Sequence, residues 1–205
     1  MVFAFPAVVD SNRRILAPSK ATPHLLSANL EPESNAGDVD TRFIQAGGRM
    51  SLAVEFPPMP HRTAAAVVGA LIRAESEEMS FPWPQPGFNI PPPGGPLNTA
   101  SLISANARQM NVASAPAYVF GPSQAFNFVL GGRTYLHLAT EGTTEASGPA
   151  FLRFGPSTRL EIPAGTVIEV AAPVIVGFVQ NNGDTAWDVD NARHYGVSFT
   201  IKERK

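Results

Sequence analysis

Residues 51–75 read SLAVEFPPMPHRTAAAVVGALIRAE, and this stretch decides the fold. Leu52, Val54 and Phe56 alternate with Ser51, Ala53 and Glu55, the period of a half-buried strand. Pro57, Pro58 and Pro60 are expected to end that strand, because proline donates nothing to a ladder and drives the preceding residue away from helical angles. Pro60 still suits the first turn of a helix, where its missing N–H costs nothing. Beyond it, Ala64, Val67, Val68, Leu71 and Ile72 recur at helical spacing, with Arg62, Arg73 and Glu77 directed to water. The spacing predicts an amphipathic helix over 60–76 that covers a sheet edge or face. Gly69 weakens it by about 1 kcal/mol relative to alanine.

The chain around this junction has 205 residues, which suits one domain or one domain carrying an insert, with a core that needs no staples. Charged residues make up 16%, below the roughly 25% of an ordinary soluble domain. Such a surface suggests either partial cover by other subunits or a turn-rich β domain. Twenty prolines and 17 glycines favour turns and irregular crossings over long helices. The net charge of −2 gives no electrostatic footprint for nucleic acid. Cysteine is absent, which removes disulfides, thiolate metal sites and cysteine nucleophiles. The start, MVFAFPAVVDSNRR, lacks the positive region of a secretory leader. The longest apolar run, Ala64–Ile72, is far short of the about 20 residues of a membrane-spanning helix, so a soluble chain without a membrane segment is expected.

Three regions follow. In the first, Val2–Phe5, Arg14–Leu16 and Thr41–Gln45 are candidate short strands, with the acidic segment Glu31–Asp40 as a loop. The stretch FPWPQPGFNIPPPGGP (81–96) reads as an extended crossing between modules, with a ligand for a proline-recognition domain as the alternative. The third region is a series of hairpins. Phe126, Phe128 and Leu130 run into Gly131-Gly132, and Arg133–Leu138 returns with Thr134, Leu136 and Leu138 on one face. Leu160–Ile162 and Val167–Val170 flank the turn Pro163-Ala164-Gly165, and Val174–Val179 leads to a turn at Asn181-Asn182-Gly183-Asp184. Tyr195, Val197, Phe199 and Ile201 then alternate against Gly196, Ser198 and Thr200 in a last strand.

Catalytic and metal constellations are not found in the pattern. The four histidines, His24, His61, His137 and His194, are scattered, with no HExxH and no i,i+4 pair. His137, near Arg133 and Tyr135 on a strand, is expected on a solvated face. Asp188-Val189-Asp190-Asn191 resembles the start of a calcium loop, but Arg193 stands where glycine is needed; the aspartates are expected to cap or solvate a turn. Phosphate-cradling glycine loops and Gly-x-Ser-x-Gly are absent. Paired carboxylates distant in sequence leave a small hydrolase as a minor alternative. No catalytic residue, metal or cofactor is therefore assigned, and an enzyme is not expected.

Two motifs carry a resemblance. Leu52-Ala-Val-Glu-Phe-Pro57-Pro58-Met59, followed by the alanine-rich helix and Phe81, resembles the first half of phage tail proteins related to distal tail proteins. Trp187-Asp-Val-Asp-Asn-Ala-Arg193-His-Tyr195-Gly196-Val-Ser-Phe199, about 130 residues on, is similar to that family's closing strand. Pro60 replaces the family's threonine cap, Val67 and Ala70 stand where it has bulky helix aromatics, and Pro84-Gln-Pro-Gly87 replaces its Gly-Asp-Pro element. The resemblance implies a mainly β fold: a tail-tube-like β-sandwich with one covering α-helix and an inserted small β module. The sandwich would comprise 1–98 plus 184–205, and the module 99–183. It further implies a structural subunit of a siphophage-type virion tail, assembled in the host cytoplasm. Such a subunit would form a ring with its own copies, hexameric in the family, between the tail tube protein and the tip hub and fibre proteins. DNA would pass through its channel without specific binding. A carbohydrate- or receptor-binding role for the inserted module is the alternative.

Overall fold

The computed structural model describes residues 2–8, 15–28, 48–87, 95–113, 118–143, 150–180, 186–189 and 194–204. The expected strand Thr41–Gln45, the loop Glu31–Asp40 and the turn at Asn181–Asp184 lie outside them. The chain is mainly β, with thirteen strands and a single helix among the described residues. It divides into two compact units. One comprises Met1–His24, Met50–Pro84 and Val174–Arg204, the other Leu25–Arg49 and Gln85–Pro173.

The first unit is built from β1 (Val2–Ala4), β2 (Lys20–Leu26), β3 (Arg49–Pro60), α1 (His61–Ala74) and β4 (Glu78–Pro82). The second contributes β5 (Asn98–Thr99), β6 (Gln109–Ala113), β7 (Ala125–Leu130), β8 (Arg133–Ala139), β9 (Ala150–Gly155) and β10 (Val167–Glu169). The chain then returns to the first through β11 (Val174–Val179), β12 (Ala186–Val189) and β13 (His194–Glu203). These strands of the first unit form one seven-stranded sheet in the order β1-β4-β11-β13-β3-β2, with β12 also on β13. β3 follows one edge of β13 from His194 to Lys202. The other edge is shared by β12, opposite Tyr195–Ser198, and β11, opposite Ile201–Glu203.

Cross-strand partners share a face. The pairs Leu52/Ile201, Val54/Phe199 and Phe56/Val197 therefore form one apolar face, and all six side chains are buried. Phe81 and Ile175 extend it across β4 and β11. Phe5, just past β1, closes over it, its ring centroid 5.7, 5.1 and 5.6 Å from those of Phe56, Phe81 and Phe199. Ring pairs of this kind add about 0.5–1.5 kcal/mol each beyond the area they bury.

The first correction concerns the proline knot. The strand does not stop at Phe56 but runs to Pro60. Phe56 pairs with Val197 and Met59 with Tyr195, so Pro57 and Pro58 together oppose Gly196 alone. One extra residue makes a β-bulge, and a bulge is where a strand tolerates residues that lack an amide hydrogen. Pro60 becomes the residue before the helix, in an extended conformation and with no side-chain cap. The helix spans 61–74 and packs on β13 and β11. It buries Ala64, Val67, Leu71 and Ala74, whereas Ile72, expected inside, is 60% exposed.

The second unit closes β5, β6, β9, β8, β7 and β10 into an antiparallel barrel. Gly131 and Gly132 both take positive φ, 57° and 75°, as a two-residue turn of the mirror-image type requires. That turn sets Leu130 against Arg133, and hence Phe126 against His137. The barrel core holds Phe120, Phe126, Phe128, Leu152 and Phe154, all at most 1% exposed. The unit boundaries fall after residues 84 and 173, rather than after 98 and 183. The Gln85 side-chain carbonyl accepts the Ala125 amide, and Leu97 is buried in the barrel core, which ties that stretch to the barrel. Residues 174–179 pair instead with β4 and β13.

Candidate functional site

The two sequence motifs meet in the first unit. Pro57, Pro58 and Met59 lie on β3 beside Tyr195, Gly196 and Phe199 of β13, and Trp187 of β12 pairs with Val197 from the opposite edge. Met59 is fully buried and Phe199 is 1% exposed within the ring cluster. Arg193 lies outside the described residues. The Tyr195 hydroxyl is 2.9 Å from His61 Nδ1, with ring centroids 5.2 Å apart, so the last strand is tied to the uncapped start of the helix. Gly196 is not in the left-handed region, and a Cβ there would meet nothing within 4 Å. Asp188, expected in a turn, is a strand residue opposite Gly196.

Glu203 ends β13 on the buried face. It is 2% exposed, and its carboxylate accepts the Met50 amide at 3.2 Å, in place of a further backbone rung. Its Cα partner, Gly177, sits against the β13 backbone. Neither residue stood out in the sequence, because nothing local marks a carboxylate or a glycine whose surroundings come from 25 or more residues away.

Described residues of this unit line an apolar cleft and a polar groove. The apolar cleft, of about 360 Å³, is lined by Phe5, Val8, Leu16, Phe56, Phe81 and Trp83. The shallow polar groove, of about 370 Å³, runs over β2, β3 and β13 past Lys20, Thr22, His24, Glu55, Ser198 and Thr200. His61 at the helix start and His194 opposite Pro60 lie near one another, whereas His24 lines this groove and His137 belongs to the other unit. Among the described residues no cluster of three or more histidine, aspartate or glutamate side chains is placed to hold a metal ion. No helix among them is long and apolar enough to cross a membrane.

His137 requires a second correction. It is not on a solvated face but is 3% exposed inside the barrel. Its ring lies 5.9, 5.0 and 5.2 Å from those of Phe126, Phe128 and Phe154, centroid to centroid. Burial pushes its pKa down to about 3. The Tyr135 carbonyl, 3.4 Å from Nδ1, opposes the shift, and the Arg159 guanidinium adds to it. The hairpin register carried this information, since a two-residue Gly131-Gly132 loop places position 137 on the face of Phe126.

On its outer surface the barrel carries Phe151, 51% exposed and in register with Asn111, beside the pair Gln109/Arg153. Arg153 reaches the Glu141 carboxylate at 3.3 Å and lies 5.9 Å from the Phe151 ring centroid.

Comparison of the chain with models of known protein families and with curated proteins gives no match.

Proposed function

We propose that this chain is a distal-tail-type structural subunit that forms a ring in a phage tail tip, between the tail tube and the hub and fibre proteins. The observation that carries this reading is the meeting of the two family-like motifs. Segments about 130 residues apart in sequence lie on adjacent hydrogen-bonded strands, with the Pro57-Pro58 bulge facing Gly196. The sheet's outermost strands, β1 and β2, offer edges to a neighbouring copy, and a closed ring covers such edges. Purified protein at micromolar concentration should form discrete rings in mass photometry and cryo-electron microscopy, and tails that contain it should show it between tube and tip. A protein that stays monomeric and is missing from purified particles would retire the reading.

A second reading gives the barrel a saccharide- or receptor-binding role. It is supported by the Phe151 ring, which is set among amide and guanidinium side chains on an open strand face. Glycan-array binding lost in Phe151→Ala would support this role, and an absence of saccharide binding by the intact protein would remove it.

A further inference from the structure

We propose that the inserted barrel is an acid-released module: His137, neutral within a cage of three phenylalanine rings, takes up a proton by leaving that cage, which opens the β7–β8–β9 side while the sheet unit stays folded. This is independent of the ring reading, because it rests on the barrel core alone.

Burial among apolar rings makes protonation of His137 in place unfavourable, and the Tyr135 carbonyl only partly offsets that cost. β7 presents Phe126 and Phe128, and β9 presents Phe154; none of these carries a negative charge, and the pull of a ring face on a cation does not replace the hydration an imidazolium would lose. Its own strand offers the Tyr135 carbonyl at 3.4 Å, a long contact. The segment after β9 brings Arg159, which is already cationic. Thr158, Leu160 and Ile162 of that segment, with Leu130, border a gap beside it of about 10 Å³. That is at the lower limit for a single water. Among the described residues no carboxylate acts on the ring.

A histidine freed from the core takes its proton near pH 6.5, whereas the caged ring does so only near pH 3. The open form therefore binds more protons throughout that window. Stability contributed by the neutral ring is complete above about pH 6.5 and is lost progressively as pH falls toward 3. The opening equilibrium constant should rise about fivefold over the first pH unit below 6.5 and approach tenfold per unit below that, until the caged ring itself titrates.

Hydrogen exchange read by mass spectrometry on the full chain tests this, with rates corrected for intrinsic pH dependence. Between pH 6.5 and 4.5, protection of β7, β8 and β9 should fall about fiftyfold, while that of β3 and β13 holds. The same fall in His137→Leu and His137→Gln, which cannot titrate, would overturn the proposal, as would joint loss of protection in both units. Should neither variant fold, the His137 ring-proton resonance of the wild type decides. A closed barrel whose His137 titrates near 6.5 refutes the inference, and one whose His137 stays neutral until the barrel opens supports it.

Discussion

Gly177→Ala should destabilise the sheet unit far more than the removal or addition of one methyl ordinarily does. Gly177 is the Cα partner of Glu203, and a Cβ built on it would fall on the Lys202 carbonyl oxygen. It would also lie 2.6 Å from the Lys202 carbonyl carbon and 2.9 Å from the Glu203 Cα. All three obstacles are backbone, so no rotamer change relieves them. Restoring ordinary contact requires β11 to move away from β13 by more than an ångström, which breaks the rungs between Gly177–Val179 and Ile201–Glu203. Overpacking that a flexible neighbour can absorb costs about 1–3 kcal/mol. Against a fixed backbone the upper end is the expectation, about 3 kcal/mol. Both tryptophans, Trp83 and Trp187, belong to this unit, so urea unfolding followed by tryptophan fluorescence reports on it directly. Gly196→Ala is the matched control: it lies on the neighbouring strand, within the motif itself, yet its Cβ would meet nothing within 4 Å. It should shift stability by no more than about 0.5 kcal/mol. Equal effects of the two substitutions, or a Gly177→Ala protein as stable as wild type, would refute the reasoning.

Other substitutions have equally definite signs. Gly69→Ala, on an exposed helix position with nothing within 4 Å, should stabilise by about 0.5–1 kcal/mol in the same urea assay. Gly132→Ala places a side chain at φ 75° in the β7–β8 turn and should cost about 1 kcal/mol, read as lost hydrogen-exchange protection across that hairpin. Glu203→Ala removes the acceptor of the buried Met50 amide and should cost about 1–3 kcal/mol by urea unfolding, whereas Glu203→Gln, which keeps an acceptor, should cost less.

Local pattern made parts of this fold legible. β13 shows strict alternation, and Val197, Phe199 and Ile201 are buried as their period requires, while Tyr195 is half-buried. The Gly131-Gly132 turn was legible because the positive φ it needs is cheap only for glycine. The helix was legible in extent but less so in its buried stripe. Small residues at positions 64 and 74 pack against the sheet, and the larger Ile72 turns outward. The end of β3 was misread because proline signals a strand end only when its partner keeps regular register, and the bulge opposite Gly196 removes that condition.

The sequence by itself determined the mainly β class of the fold, its most regularly alternating strands, the helix after Pro60 and the Gly131-Gly132 turn. Each of these depends on spacings of a few residues and on intrinsic backbone preference. Only the tertiary structure decided which distant segments pair. That choice brought Pro57 and Pro58 against Gly196, Gly177 against the Lys202 carbonyl, and Phe154 against the His137 ring. It also moved Gln85 and Leu97 to the barrel and 174–179 into the sheet. Burial and steric exclusion depend on neighbours separated by tens of residues. A histidine's charge state or a glycine's necessity therefore becomes visible only once those neighbours are in place.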